Sequence, residues 1–73
     1  MAVVYYKDNT EKAGYINAKY ILKIITSEDS NTKYPYSIKI KYLNREYETL
    51  RFTEKAYMEH MITTLTEGMM NNE

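Results

Sequence analysis

Apolar and polar positions alternate most plainly from Tyr36 to Leu43, where Tyr36, Ile38, Ile40 and Tyr42 are interleaved with Ser37, Lys39 and Lys41. A period of two is the signature of a strand buried on one face. Asn44-Arg45 interrupts the run, and Glu46 to Phe52 returns it as a second strand. Upstream, the β-branched and aromatic run Val3 to Tyr6 predicts a first strand. The polar stretch Lys7 to Gly14 predicts a loop, after which Tyr15 and Ile16 resume a strand before a turn at Asn17-Ala18-Lys19. Tyr20 to Thr26, YILKIIT, carries apolar groups on both of its faces, as a central strand does. Ser27 to Lys33 is a polar loop, and Pro35 holds Tyr34 extended at the entry of the next strand.

The period changes to three and four after Phe52. Met58, Met61, Ile62, Leu65 and Met69 form one apolar stripe, the mark of an amphipathic helix over about 53–67. Thr53 is its expected cap, Glu54 suits the positive end of the helix dipole, and Gly68 is the expected stop. The tail 68–73 is expected to fray. The fold class is therefore α+β: an antiparallel β-meander of four to five strands with one C-terminal amphipathic helix packed on one sheet face. At 73 residues the chain forms a single domain.

The turn at Asn44-Arg45 decides which side chains meet water. A tight two-residue turn places Ile38 opposite Arg51 and Ile40 opposite Thr49, which strands Leu50 and Phe52 on the lysine face. One extra residue in the turn places Leu43 opposite Tyr47, Ile40 opposite Leu50 and Ile38 opposite Phe52. A one-residue slip moves a whole strand to the other face, so the apolar match favours the wider, bulged turn. Asn44 or Arg45 must then supply its left-handed residue. The same choice leaves Lys39, Lys41, Arg51 and Tyr47 together on the exposed face.

Composition narrows the chemistry. Ten basic and ten acidic residues give zero formal charge, which argues against tight binding driven by phosphate neutralisation alone. Cysteine is absent, so disulfides and thiolate-bound metals are excluded. The one histidine cannot build an ordinary zinc site, and neither metal nor cofactor is expected. The N-terminal residues lack the features of a signal peptide and no run approaches the about 20 apolar residues of a membrane span, which fits a cytoplasmic protein. Abundant Lys, Asn, Ile, Tyr and Met suggest an AT-rich genome, such as that of a low-GC bacterium or its phages.

No residue set is arranged for catalysis. His60 lies beside the helix stripe with no nucleophile placed near it, and reads as a solvated histidine. Glu46 and Glu48 share a strand face, but charged edge positions commonly serve to blunt aggregation. There is no phosphate loop, catalytic triad or calcium loop, so a non-enzyme without a small-molecule substrate is expected. The nine tyrosines are the unusual feature, because a buried hydroxyl needs a partner and not all of them fit a core. Tyrosine is enriched at protein interfaces, and Tyr5, Tyr6, Tyr34 and Tyr47 are the candidate docking residues. The first expectation is a protein-interaction module, a phage- or mobile-element-encoded regulator or inhibitor that binds a host protein or its own copy as a homodimer. The alternative is a single-stranded nucleic-acid-binding domain that uses Lys39, Lys41, Arg51 and Tyr47.

Overall fold

The computed structural model describes residues 3–70. Five antiparallel strands and one C-terminal helix make an α+β protein. The strands fall into two sheets rather than one continuous meander: β1 (Val3–Lys7) pairs with β2 (Ala13–Asn17), and β3 (Ile21–Glu28), β4 (Tyr36–Tyr42) and β5 (Tyr47–Phe52) form a three-stranded sheet in that order. A single 3-10 turn, Ala18–Tyr20, separates the sheets, and the Asn17 side chain caps it by accepting from the Lys19 N–H. The helix α1 is Lys55–Met70.

One core joins all the elements. Val4 and Tyr6 from β1, Ile16 from β2, and Ile38, Ile40, Leu50 and Phe52 from the larger sheet meet Met58, Met61 and Leu65 of α1. Ile62 and Met69 complete the helix stripe as half-buried neighbours of that core. The β1 strand alternates cleanly, with Val4 and Tyr6 inside and Val3, Tyr5 and Lys7 outside, because successive side chains of a strand point to opposite faces.

Both glycines differ from expectation for a packing reason. Gly14 lies within β2, opposite Tyr6, instead of ending a loop. A Cβ there would stand 3.2 Å from the Tyr6 ring and hydroxyl, so the missing side chain makes room for the tyrosine. Gly68 continues the helix rather than stopping it. A Cβ at this position would collide with Val4 Cγ2 and stand 3.2 Å from Ala18 Cβ, so glycine lets the helix approach the hairpin closely. Residues 68–70 are accordingly helical, and the rest of the tail expected to fray lies outside the described residues.

Thr53 does not serve as the helix cap. Its N–H and hydroxyl donate to Asn9 Oδ1 at 2.9 and 3.3 Å, and the first helical bond runs from the Met58 N–H to the Glu54 carbonyl. The segment between β1 and β2, which reads in sequence as a plain loop, is a structural junction. Asp8 is buried, and Oδ1 accepts from the Thr10 N–H, the Thr10 hydroxyl and the Lys12 N–H, while Oδ2 accepts from the Arg51 N–H at 3.0 Å. Burial alone would raise its pKa. The Arg51 N–H, followed by Thr10 and Lys12, outweighs burial and holds the carboxyl below its ordinary value.

The same segment covers the outer edge of β5 at Thr49 and Arg51. The Asn9 N–H donates to the Arg51 carbonyl at 3.0 Å, and Lys12 Nζ donates to the Thr49 carbonyl at 3.2 Å. Lys12 also pairs with Glu48 at 2.6 Å, which raises the lysine pKa and neutralises a carboxylate on the core-facing side of β5.

Candidate functional site

The turn between β4 and β5 sets the site. Arg45 adopts a left-handed backbone, φ 72°, and its N–H donates to the Tyr42 carbonyl at 2.9 Å. The Tyr42 N–H donates to the Glu46 carbonyl, and Asn44 Oδ1 accepts from the Glu46 N–H. This is a three-residue loop, Leu43 to Arg45, with its third residue left-handed. The observed pairs are Ile38 with Leu50, Ile40 with Glu48 and Tyr36 with Phe52. They match neither of the two pairings weighed from sequence, and Leu43, expected opposite Tyr47, lies in the loop and is exposed. The pairing differs from the bulged alternative by two residues, one full pleat, so every side chain keeps its face. Ile38, Ile40, Leu50 and Phe52 are all buried on one side.

Three rows of three residues make up the opposite, open side. Lys23 lies opposite Lys41, which lies opposite Tyr47; Ile25, Lys39 and Thr49 form the middle row; Ser27, Ser37 and Arg51 form the last. Four of these nine positions are cationic and none is acidic, in a chain whose ten basic and ten acidic residues balance overall. Lys39 and Lys41 place their ammonium groups 5.1 and 5.6 Å from the centre of the Tyr47 ring. Such contacts contribute about 0.5–1 kcal/mol at exposed sites. The directly opposed Lys23 and Lys41 repel, which costs stability. A shallow groove of about 370 Å³ runs between Ile25, Ser27, Ser37, Lys39, Thr49 and Arg51.

Lys39, Lys41, Arg51 and Tyr47, the four expected nucleic-acid contacts, thus share one surface. Lys23 joins them and was missed in sequence, because the doubly apolar YILKIIT run gives no sign of which face its lysine takes. The four candidate docking tyrosines do not converge. Tyr6 is buried and its pKa is raised, chiefly by burial and then by Glu48, so it offers no docking surface. Tyr5 is exposed on β1 and meets the exposed Tyr15 edge-on at 5.4 Å. Tyr34 is half-buried in the loop before β4, with Lys33 Nζ 5.6 Å from its ring. Tyr47 lies at the other end of the sheet, on the open face.

Two further concavities lack comparable chemistry. Tyr15, Tyr20 and Tyr42 line a cleft of about 380 Å³, and the Tyr42 hydroxyl is pushed up to about 12 by burial, with Glu48 and Tyr6 adding to the effect. It is thus a neutral hydrogen-bonding group at physiological pH. His60 is exposed and borders a shallow depression with Asp8, Phe52, Tyr57 and Met61. Glu46 is exposed beside the turn, whereas Glu48 is half-buried and paired with Lys12, so the two carboxylates stand in different environments. Among the described residues no three His, Asp or Glu side chains could hold a metal ion, and no helix is long and apolar enough to cross a membrane.

The fold and this surface define a small α+β protein with one segregated basic sheet face. Compared with protein families, with characterised proteins and with solved structures, the chain matches none of them.

Proposed function

We propose that the chain is a non-catalytic binding module that holds single-stranded nucleic acid on the open face of β3–β5. The observation that carries the reading is the segregation on that face: Lys23, Lys39, Lys41 and Arg51 with Tyr47, and no carboxylate among the nine positions. In this reading the helix closes the other face of the sheet, and the pleat delivers every second residue to the ligand. The lysines and Arg51 track phosphates, and the Tyr47 ring offers a stacking surface worth about 1–3 kcal/mol per base. The balanced net charge then implies modest affinity with little long-range attraction, so binding depends on these few contacts.

The test is a titration of fluorescently labelled oligo-dT and oligo-U at several salt concentrations. Neutralising up to four phosphates gives a slope of log K against log salt of about −3, at about −0.7 for each phosphate on a single strand. Lys39→Glu with Arg51→Glu is expected to abolish binding without unfolding the protein. No binding to either oligonucleotide at low salt contradicts the reading.

A second reading, a regulator or inhibitor that docks a partner protein, is favoured by a different observation. The exposed Tyr5–Tyr15 pair forms an aromatic surface on the β1–β2 hairpin, which contributes none of the nine open-face positions. Tyrosines in such a position are suited to anchor a protein contact. Tyr5→Ala with Tyr15→Ala leaves oligonucleotide binding unchanged in the first reading and removes partner binding in the second.

A further inference from the structure

We infer that the free edge of β3 is a self-association site, at which two copies of the chain join antiparallel into one six-stranded sheet. This edge lies on β3 and can pair whether or not the open face binds nucleic acid.

The two edges of the β3–β5 sheet are treated differently. Hydrogen-bonded and non-bonded pairs alternate along antiparallel strands. The bond from the Asp29 N–H to the Pro35 carbonyl fixes that alternation for β3: residues 23, 25 and 27 point their backbone groups towards β4, and Ile24, Thr26 and Glu28 point theirs outward. On β5 the outward Thr49 carbonyl, Arg51 N–H and Arg51 carbonyl are met by Lys12, Asp8 and Asn9 in turn. On β3 the outward groups of Ile24, Thr26 and Glu28 find no partner among the described residues. An unpaired row of this kind is a template for another strand.

Sequence and position also disagree on β3. The run Ile21, Leu22, Ile24, Ile25 has the composition of a strand flanked on both sides, yet β3 is an edge strand with Leu22 50 % and Ile25 41 % exposed. A strand added at this edge would supply the missing neighbour.

A second copy fits the edge in a specific register. Centred on Thr26, a two-fold axis perpendicular to the sheet pairs Thr26 with Thr26 of the copy, and Ile24 with Glu28 in both directions. All three outward-pointing residues then form bonded pairs. Lys23 lies directly opposite Asp29 of the copy, twice over. Asp29 Oδ1 accepts from the Asn31 N–H, and Oδ2 has no partner among the described residues. The same axis keeps both open faces on one side, so the dimer presents one basic surface of twice the width. An edge contact is small beside the about 800 Å² per partner of a stable interface, so the association is weak and concentration-dependent.

The test is the mass of the whole chain by sedimentation velocity from about 10 μM to about 1 mM, where weak dimers become populated. The wild type is expected to move from one copy towards two. Thr26→Pro removes an outward N–H that the monomer leaves unpaired, a place where an edge strand tolerates proline, and is expected to remain monomeric. Lys23→Glu and Asp29→Lys are each expected to weaken association about tenfold, and the double swap to restore it. The charge-swap series decides the matter if the proline variant does not fold. A wild type that stays monomeric at the top concentration overturns the inference. So does a dimer that survives both the proline and the single charge reversals.

Discussion

The two faces of the β3–β5 sheet are made by the same strands, one residue out of step, and they carry opposite kinds of side chain. On one face Ile38, Ile40 and Leu50 have no exposed surface at all; on the other Lys39 and Arg51 stand in water, and Lys41 is half-buried beside Tyr47. The buried face accounts for stability. The open face adds little to stability: Lys23 directly opposes Lys41, and the Tyr47 contacts work against that repulsion. A face that adds little to the core while gathering one sign of charge is what the proposed binding role requires.

Substitutions that separate the faces should therefore differ sharply. Leu50→Ala on the buried side is expected to cost about 2–5 kcal/mol, most of the roughly 3–5 kcal/mol available to a domain this small. Thr49→Ala, its neighbour on the open side, should stay within about 0.5 kcal/mol. Urea denaturation of the two variants measures the contrast, and equal costs would remove it.

Asp8, which ties the hairpin to the edge of β5, comes next. Asp8→Ala removes a buried carboxylate, leaves the N–H groups of Thr10, Lys12 and Arg51 without their acceptor, and should cost about 2–4 kcal/mol. Its pH signature has a defined sign. The folded carboxyl lies below its ordinary 3.8, so its contribution is complete above that value and fades as the pH falls below it towards the folded value. Asp8→Asn should lose that part of the acid-dependence, seen by following thermal unfolding between neutral pH and the acid range.

Gly68→Ala tests the close approach of α1 to the hairpin. Alanine improves helix propensity by about 1 kcal/mol, but the added methyl collides with Val4 and overpacking of this kind costs about 1–3 kcal/mol. A net loss is expected, with Val4→Ala relieving part of it. A stabilised Gly68→Ala variant would show that the contact yields easily. Tyr47→Leu is expected to cost about 0.5–1 kcal/mol from the lost cation–ring contacts. Its effect on oligonucleotide affinity should be larger, about 1–3 kcal/mol.

The division into faces was legible in the alternation of residues 36–43 and 47–52. It is robust because only a slip of an odd number of residues moves a side chain to the other face, and the loop at Leu43–Arg45 shifts the pairing by two. The exact pairs were not legible, since they depend on Arg45 adopting a left-handed conformation that nothing in its side chain requires. The edge position of β3 was hidden by its apolar residues on both faces. Gly14 and Gly68 resembled boundaries because glycine alone does not distinguish a turn from a close contact, and Val4 and Tyr6 decide the matter from elsewhere in the chain. Asp8 left a trace in the Asp-Asn-Thr run that favours side-chain-to-backbone turns, but its bond to Arg51 spans the fold.

If one face of this sheet serves packing and the other a ligand, side-chain NMR separates the two. Oligo-dT is titrated into labelled protein while the Ile and Leu methyl groups and Tyr rings are followed. The Ile25 methyl and the Tyr47 ring are expected to shift with added oligonucleotide, while Ile38, Ile40 and Leu50 stay in place. Shifts confined to Tyr5 and Tyr15, or no shift at Ile25 and Tyr47 under saturating oligonucleotide, would contradict it.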